Sequence, residues 1–377
     1  MSAPITILGG GLMGLAIAHA LARRGRPVRV LSRRRGEAAG FVAAGMLAPH
    51  AEGLQGNQLE LGRRSLELVP EWVATIEADS GMACGLRPCG IVVPFHTAEA
   101  RDRYATAPFG QALNRSDLKR EICGIGSSWE AALLFPQDGQ IDNRRRLMRA
   151  LEAACVARGV SFEEESDVIE LICWKKQLHG VRVRRFDGTD HCLACEEAVL
   201  TCGAWSAQLL PQLPVFPVKG QMLSLQAPRR ALGRVIFGPG TYLVPREDGL
   251  VVVGATSEPE AGFEAGLSPK GQKQLEAGLV SLLPEAAQWP PMERWWGFRP
   301  CTPDQGPLLG PGPIEGLQLA TGHHRNGVLL AAITAQLLAG LMVKPSSSSA
   351  DQASKPELLN TFRWDRFTDG RLESRSY

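Results

Sequence analysis

Ile5-Thr6-Ile7-Leu8-Gly9-Gly10-Gly11-Leu12-Met13-Gly14 sets an apolar run of strand type directly before a G-x-G-x-x-G turn. Leu12 to Arg24 then reads as a helix, with Leu15, Ala18, His19 and Leu21 at helical spacing. Pro27-Val28-Arg29-Val30-Leu31 returns to strand character. Strand, glycine turn, helix and strand in this order form a dinucleotide-binding unit. Gly9 allows the tight turn, Gly11 lets the backbone approach a pyrophosphate, and Gly14 lets the helix pack closely on the strand. The helix start at Leu12 and Met13 offers N–H groups and a positive dipole end to the phosphates. The second strand usually ends on an acidic residue for the adenosine ribose. Here Ser32 stands there, followed by Arg33, Arg34 and Arg35. Ser32 can hydrogen-bond a ribose hydroxyl. The arginines form either a solvated basic turn or a seat for a 2′-phosphate, so the motif alone leaves FAD and NADP both open.

Beyond this unit, a polar helix is predicted from Leu59 to Ser80, stopped by Gly81, and a short strand over Gly90 to Phe95. The stretch from Ala98 to Ile141 has no clear period. Asp142 reads as the cap of a helix over Asn143 to Arg158, followed by strand character from Val160. Strands are expected at Val168–Ile172, Val181–Arg185 and Ala198–Thr201. Tyr242-Leu243-Val244-Pro245-Arg246 and Leu250-Val251-Val252-Val253-Gly254 flank an Asp-Gly turn, a hairpin pattern. Leu317–Thr321 is a further strand, the apolar run Val328 to Val343 a buried helix, and Pro345 to Pro356 a serine-rich linker.

The net charge of +2 gives no electrostatic case for nucleic acid or an anionic membrane. The longest apolar run is too short to span a bilayer comfortably. Nine cysteines at irregular spacing argue against a disulfide framework and for a reducing, cytoplasmic setting. Cys192 and Cys195 form a lone C-x-x-C without a second half, so no metal site is expected. No signal peptide is legible at the N-terminus.

Val42-Ala43-Ala44-Gly45-Met46-Leu47-Ala48-Pro49-His50-Ala51-Glu52 resembles the segment after the second strand in the glycine oxidases of the D-amino acid oxidase superfamily. So do Pro217–Leu223, Tyr242–Arg246, Val252–Thr256, Trp296-Gly297-Phe298-Arg299-Pro300 and Gly322-His323-His324-Arg325-Asn326-Gly327, in family order across nearly the whole chain. The resemblance is closest to the members that serve thiamin biosynthesis. It implies an α/β (α+β two-domain) fold: a glutathione-reductase-type FAD-binding domain with an interleaved substrate domain built on a large antiparallel sheet. The FAD-binding domain would take residues 1–80, 142–215 and 296–377, and the substrate domain 81–141 and 216–295. By the same resemblance FAD would be bound by Gly9, Gly11, Leu12, Met13, Gly14, Ser32 and Arg33 at one end. Ala43, Ala44, Gly45 and Met46 would line the flavin, and Val168 would meet the adenine side. Gly203, Trp205, Arg299, His324, Arg325, Asn326, Gly327 and Val328 would complete the site. The sequence departs from the family at Ser32, at Ala39-Gly40-Phe41, where small hydroxyl residues are usual, and at Cys301, where glycine is expected. A cysteine in that region carries covalent flavin in monomeric sarcosine oxidases, but its offset from Asp304 differs, so a buried free thiol is expected.

Oxidation of an amino acid on a flavin asks the protein chiefly to hold the substrate carboxylate so that the α-C–H faces the ring. An arginine suits this because its planar fork pairs bidentately with a carboxylate. Arg299, among aromatic residues, is the candidate, with Tyr242 as second hydrogen-bond donor. For Arg299 the alternative is an internal salt bridge, and for Tyr242 a core aromatic. Arg325 contacts the flavin or closes the substrate pocket, and Met46 and Ala51 would line that pocket. His50, His323 and His324 read as packed or loop histidines, since no base is required. The expected reaction is oxidative deamination of glycine, with sarcosine or small D-amino acids as further substrates, consuming oxygen and releasing ammonia and hydrogen peroxide. Thiazole synthase is the expected downstream partner, and the chain is expected to be a homo-oligomer. The competing readings are a D-amino acid or N-methyl amino acid oxidase of other specificity, a tRNA-modifying flavin oxidase, and an NADP-binding regulatory protein.

Overall fold

The structure, a computed structural model, describes residues 3–343 and 356–367. Its first layer is a six-stranded sheet ordered Leu308–Pro311, Leu317–Thr321, Ala198–Leu200, Ile5–Leu8, Val28–Leu31, Ser161–Glu163. All neighbours are parallel except the first pair. Period-two alternation decides what covers each face. Ile5, Ile7, Val28, Val30 and Val199 turn toward the helices Leu12–Arg23, Gly56–Ser80, Met148–Ala157 and Gly327–Met342. Leu8, Leu31, Leu200 and Leu319 turn the other way, against a three-stranded antiparallel sheet of Ser166–Trp174, Gln177–Arg185 and Asp190–Ala194. Gly327–Met342 is the buried apolar helix its sequence predicts, and each of its fully buried leucines contributes about 1.5–3 kcal/mol. Among the described residues no helix is long and apolar enough to cross a membrane.

The second layer is an eight-stranded sheet ordered Pro291–Cys301, Phe216–Gln226, Leu250–Gly254, Thr241–Pro245, Val235–Gly238, Ile91–Phe95, Ala131–Phe135, Gln111–Asn114. It is antiparallel throughout except where Val235–Gly238 lies beside Ile91–Phe95. Leu223, Leu243, Val251 and Val253 face the helix Pro269–Leu282, whereas Met222, Val244 and Val252 face the first layer. Tyr242 shares the face of Val244, and Arg299 that of Gly297 and Trp295. The alternation therefore aims both candidate side chains at the space between the sheets.

Several local expectations change. The Ala98–Ile141 stretch holds the strands Gln111–Asn114, Ala131–Phe135 and Gly139–Ile141 and the short helices Ala98–Asp102 and Arg115–Glu121. Asp142 does not cap the following helix, whose first turn, Asn143–Leu147, is π-helical. Its carboxylate pairs with Arg145 at 2.8 Å instead. The 295/296 division falls inside the strand Pro291–Cys301, so both regions share that strand. Residues 344–355, most of the expected linker, lie outside the described residues, as does the chain beyond 367. The nine cysteines are free, with Cys195 buried and Cys192 exposed.

Candidate active site

Between the two layers lies a long cleft, open to solvent at its mouth. One end is walled by Gly9, Gly11, Leu12, Met13, Ser32 and Arg33, with Val168, Gly203 and Trp205 alongside. Further in come Ala43, Ala44, Gly45 and Met46, then His324, Arg325, Gly327 and Val328, and at the far end Tyr242 and Arg299. Three expected residues do not line it. Gly14 sits behind the turn, where a Cβ would come within 2.0 Å of the Gly9 carbonyl oxygen, so its role is packing. Ala51 is fully buried, its N–H donating to Asp138 and its carbonyl accepting from Tyr104. Asn326 is tucked under the start of the helix Gly327–Met342, its carbonyl accepting from Leu330.

The residues present fit a dinucleotide. Gly9 adopts φ +111, closed to other residues. The helix after it has no side-chain cap and no acidic residue in its first turn, which leaves its N–H groups for an anion. The helix starting at Gly327 is likewise uncapped by a side chain and without acid in its first turn. Gly45, at φ +86, would drive a Cβ to 2.1 Å from the Ile141 carbonyl, so backbone alone fits at this point of the wall. The arginine cluster is neutralised: Arg33 and Arg34 share Glu37 at 3.0 and 3.2 Å, and Arg35 lies 2.8 Å from Glu152. Three arginines already holding carboxylates make a poor 2′-phosphate seat, which favours FAD over NADP. Glu37, which the sequence reading passed over, also brings a carboxylate to the end of the cleft where Ser32 stands.

At the far end, strand register creates two niches. Tyr242 pairs with Gly254, and a Cβ on Gly254 would fall 2.4 Å from the Tyr242 hydroxyl. Arg299 pairs with Val218, and its guanidinium lies over Gly220, where a Cβ would fall 2.3 Å from Nη1. Arg299 Nη1 donates to the Thr256 carbonyl at 3.0 Å. Among the described residues no carboxylate pairs with Arg299, so the internal salt bridge weighed as its alternative is not formed. Burial raises the Tyr242 phenol above its ordinary value, keeping it a donor near neutrality. Since the atoms met at Gly220 end a flexible side chain, Gly220→Ala is expected to fold and take up FAD normally. It should raise the substrate KM roughly ten-fold by displacing the guanidinium, which steady-state kinetics and a melting curve together would check.

Arg325 pairs with Glu52 at 3.1 Å, and both line the cleft, which places Arg325 at the pocket wall rather than free for an anion. Glu52 lines the cleft, which the sequence reading missed; its partner is too far along the chain for any local signal. His50 and His323 have ring partners. His50 Nδ1 lies 2.6 Å from Asp138, and His323 Nε2 lies 3.1 Å from the Thr334 hydroxyl. Burial holds His323 and His324 down to about 3, so both rings stay neutral. Cys301 is buried off the cleft wall, and burial pushes its thiol up to about 12, as suits an inert free thiol.

A family model described as FAD dependent oxidoreductase matches residues 4–341. The chain is 40% identical over 365 residues to the bifunctional protein ThiO/ThiG of Synechocystis sp., covering 95% of this chain and 54% of that protein. It thus spans about half the length of that relative. It is 31% identical to the glycine oxidase of Geobacillus kaustophilus, covering 91% of this chain and 94% of that one. The crystal structure of the glycine oxidase from Geobacillus kaustophilus superposes with a TM-score of 0.85 at 29% identity, covering 96% and 98% of the two chains. A match over nearly all of the described sequence, with a cleft that fits the cofactor, gives the assignment: this chain belongs to the FAD-dependent oxidoreductase family.

Proposed function

We propose that this chain oxidises glycine to its imine, with ammonia released on hydrolysis, and that sarcosine or small D-amino acids are secondary substrates. The observation that carries the reading is Arg299: a guanidinium on the cleft wall with no carboxylate partner among the described residues, beside a protonated phenol. Such a fork recognises a small carboxylate, and Tyr242 donates a second hydrogen bond to it. Met46, Met222, Phe237 and Tyr242 belong to one hydrophobic cluster and line the cleft at this end, which gives a small amino acid an apolar wall. Bound FAD supplies the electron acceptor, and oxygen regenerates it with release of hydrogen peroxide. Gly9 to Met13 and Ser32 would hold its nucleotide end, with Ala43 to Met46, His324 and Gly327 along the flavin. Arg299 and Tyr242 orient the substrate so that its α-C–H faces the Ala44–Met46 wall, and neither needs to move a proton for this.

The relatives support the substrate and suggest the pathway. Two-function relatives named ThiO/ThiG and single-function glycine oxidases both align across more than nine-tenths of this chain. A thiazole synthase consuming the imine is the partner that this reading implies. Nine free thiols suit a cytoplasmic setting. The test is a visible spectrum of the FAD-loaded protein under anaerobic conditions, with glycine added first and D-alanine second. Bleaching with glycine that reverses in air is expected. Bleaching with D-alanine alone would move the assignment to a D-amino acid oxidase of other specificity, and no bleaching with either would overturn it.

A further inference from the structure

Arg299 is aimed by a backbone carbonyl, and that carbonyl is itself held by side chains behind the sheet. Residues 255–257 follow the strand Leu250–Gly254 and lie outside any strand. Their position comes from Gln221 and Glu258. The Gln221 N–H donates to Thr256 Oγ1 at 2.9 Å, and the Thr256 N–H donates back to the Gln221 carbonyl at 3.2 Å. The Thr256 hydroxyl donates to Glu258 Oε1. Gln221 Nε2 donates to the same carboxylate oxygen at 2.8 Å and to Ser268 Oγ at 2.7 Å. Gln221 Oε1 accepts from the Ser268 N–H at 3.0 Å and from Gln272 Nε2 at 3.1 Å. The Glu258 N–H donates to the Lys219 carbonyl at 2.9 Å. Gln221 and Thr256 are both fully buried. Gly271 packs so closely that a Cβ there would fall 2.3 Å from Gln221 Nε2, so the amide has no room to turn.

We infer that Glu258 and Gln221 are positioning residues for Arg299. Their bonds fix the Thr256 carbonyl, and that carbonyl takes one donor of the guanidinium. An arginine has five donors in one plane, so anchoring one of them sets the direction of the other four. With Nη1 held on the Thr256 carbonyl, the remaining edge meets a carboxylate as a fork without first losing the freedom of a long side chain. The inference rests on the reading of Arg299 as the carboxylate site. It also says why Thr256 closes the block Val252–Thr256. Its carbonyl and hydroxyl act in opposite directions, one toward the arginine and one toward the buried network.

The test uses FAD-loaded protein and acetate, a carboxylate that cannot be oxidised, with its Kd read from perturbation of the flavin visible spectrum. Glu258→Ala is expected to raise the acetate Kd and the glycine KM roughly ten-fold, with kcat, FAD affinity and melting temperature little changed. Glu258→Gln is expected to retain tight binding, because its amide oxygen can still accept from both Thr256 and Gln221. An acetate Kd in Glu258→Ala equal to that of the parent would overturn the inference. So would a Glu258→Gln protein as weak as Glu258→Ala, since charge rather than geometry would then be at work. Arg299→Ala is the control. If it too binds acetate normally, the carboxylate-site reading fails; if it alone loses acetate, only the positioning role fails.

Discussion

Arg299→Ala is expected to give a protein that still carries FAD and melts normally, yet has lost kcat/KM for glycine by roughly a hundred- to twenty-thousand-fold. The estimate follows from two charge-assisted hydrogen bonds of about 1.5–3 kcal/mol each, at about 1.4 kcal/mol per decade of rate. Stability should hold, because the guanidinium is bonded to the Thr256 backbone carbonyl and pairs with no carboxylate among the described residues. Its removal therefore strands no buried charge. Arg299→Lys should recover only a small part of the loss, since a point charge cannot reproduce a fork resting over Gly220. Steady-state kinetics with glycine, alongside the flavin absorbance of the purified protein, would decide it. Normal glycine kinetics in Arg299→Ala would remove this residue from the site and leave Arg325 to carry the carboxylate. The Arg325–Glu52 pair makes that the weaker alternative.

What could be read without the fold is what depends on near neighbours along the chain. The glycine turn at Gly9–Gly14 announces itself because the strand, the turn and the helix it needs are consecutive. The Tyr242 hairpin does so for the same reason, through its Asp-Gly turn. Ala98–Ile141 could not be parsed because its strands are short and, as in Ala131–Phe135, buried along their whole length, so no alternation shows. Asp142 has the residue type and place of a cap, and tertiary electrostatics override that local preference: Arg145 and Arg246 compete for its carboxylate. The niches at Gly220 and Gly254 follow from strand register, which pairs Gly220 with Gly297 and Gly254 with Tyr242. Register is not a local property, and neither is the meeting of Glu52 with Arg325.

Gly14→Ala is expected to cost more than any change at the substrate end, because the added methyl meets backbone rather than a movable side chain. Its Cβ would lie 2.0 Å from the Gly9 carbonyl oxygen and 2.9 Å from Thr201 Oγ1. Neither can yield cheaply. Gly9 is tied by its N–H to the Leu31 carbonyl at 2.9 Å, and its own carbonyl accepts from Thr201 Oγ1 at 2.7 Å. Relief therefore requires the helix Leu12–Arg23 to lift off the strand Ile5–Leu8. That opens a contact among Ile5, Ile7, Leu15 and Ala18, all of them fully buried. Overpacking of this kind typically costs about 1–3 kcal/mol, and a clash with fixed backbone belongs at or above the upper end. The same displacement carries the helix N-terminus away from the phosphates it would hold, so cofactor affinity falls with stability. Flavin absorbance at purification and melting curves with and without added FAD would measure both. A protein that melts normally but is colourless would confine Gly14 to the cofactor; one that is yellow and melts normally would mean that the helix and strand tolerate a separation this packing does not allow.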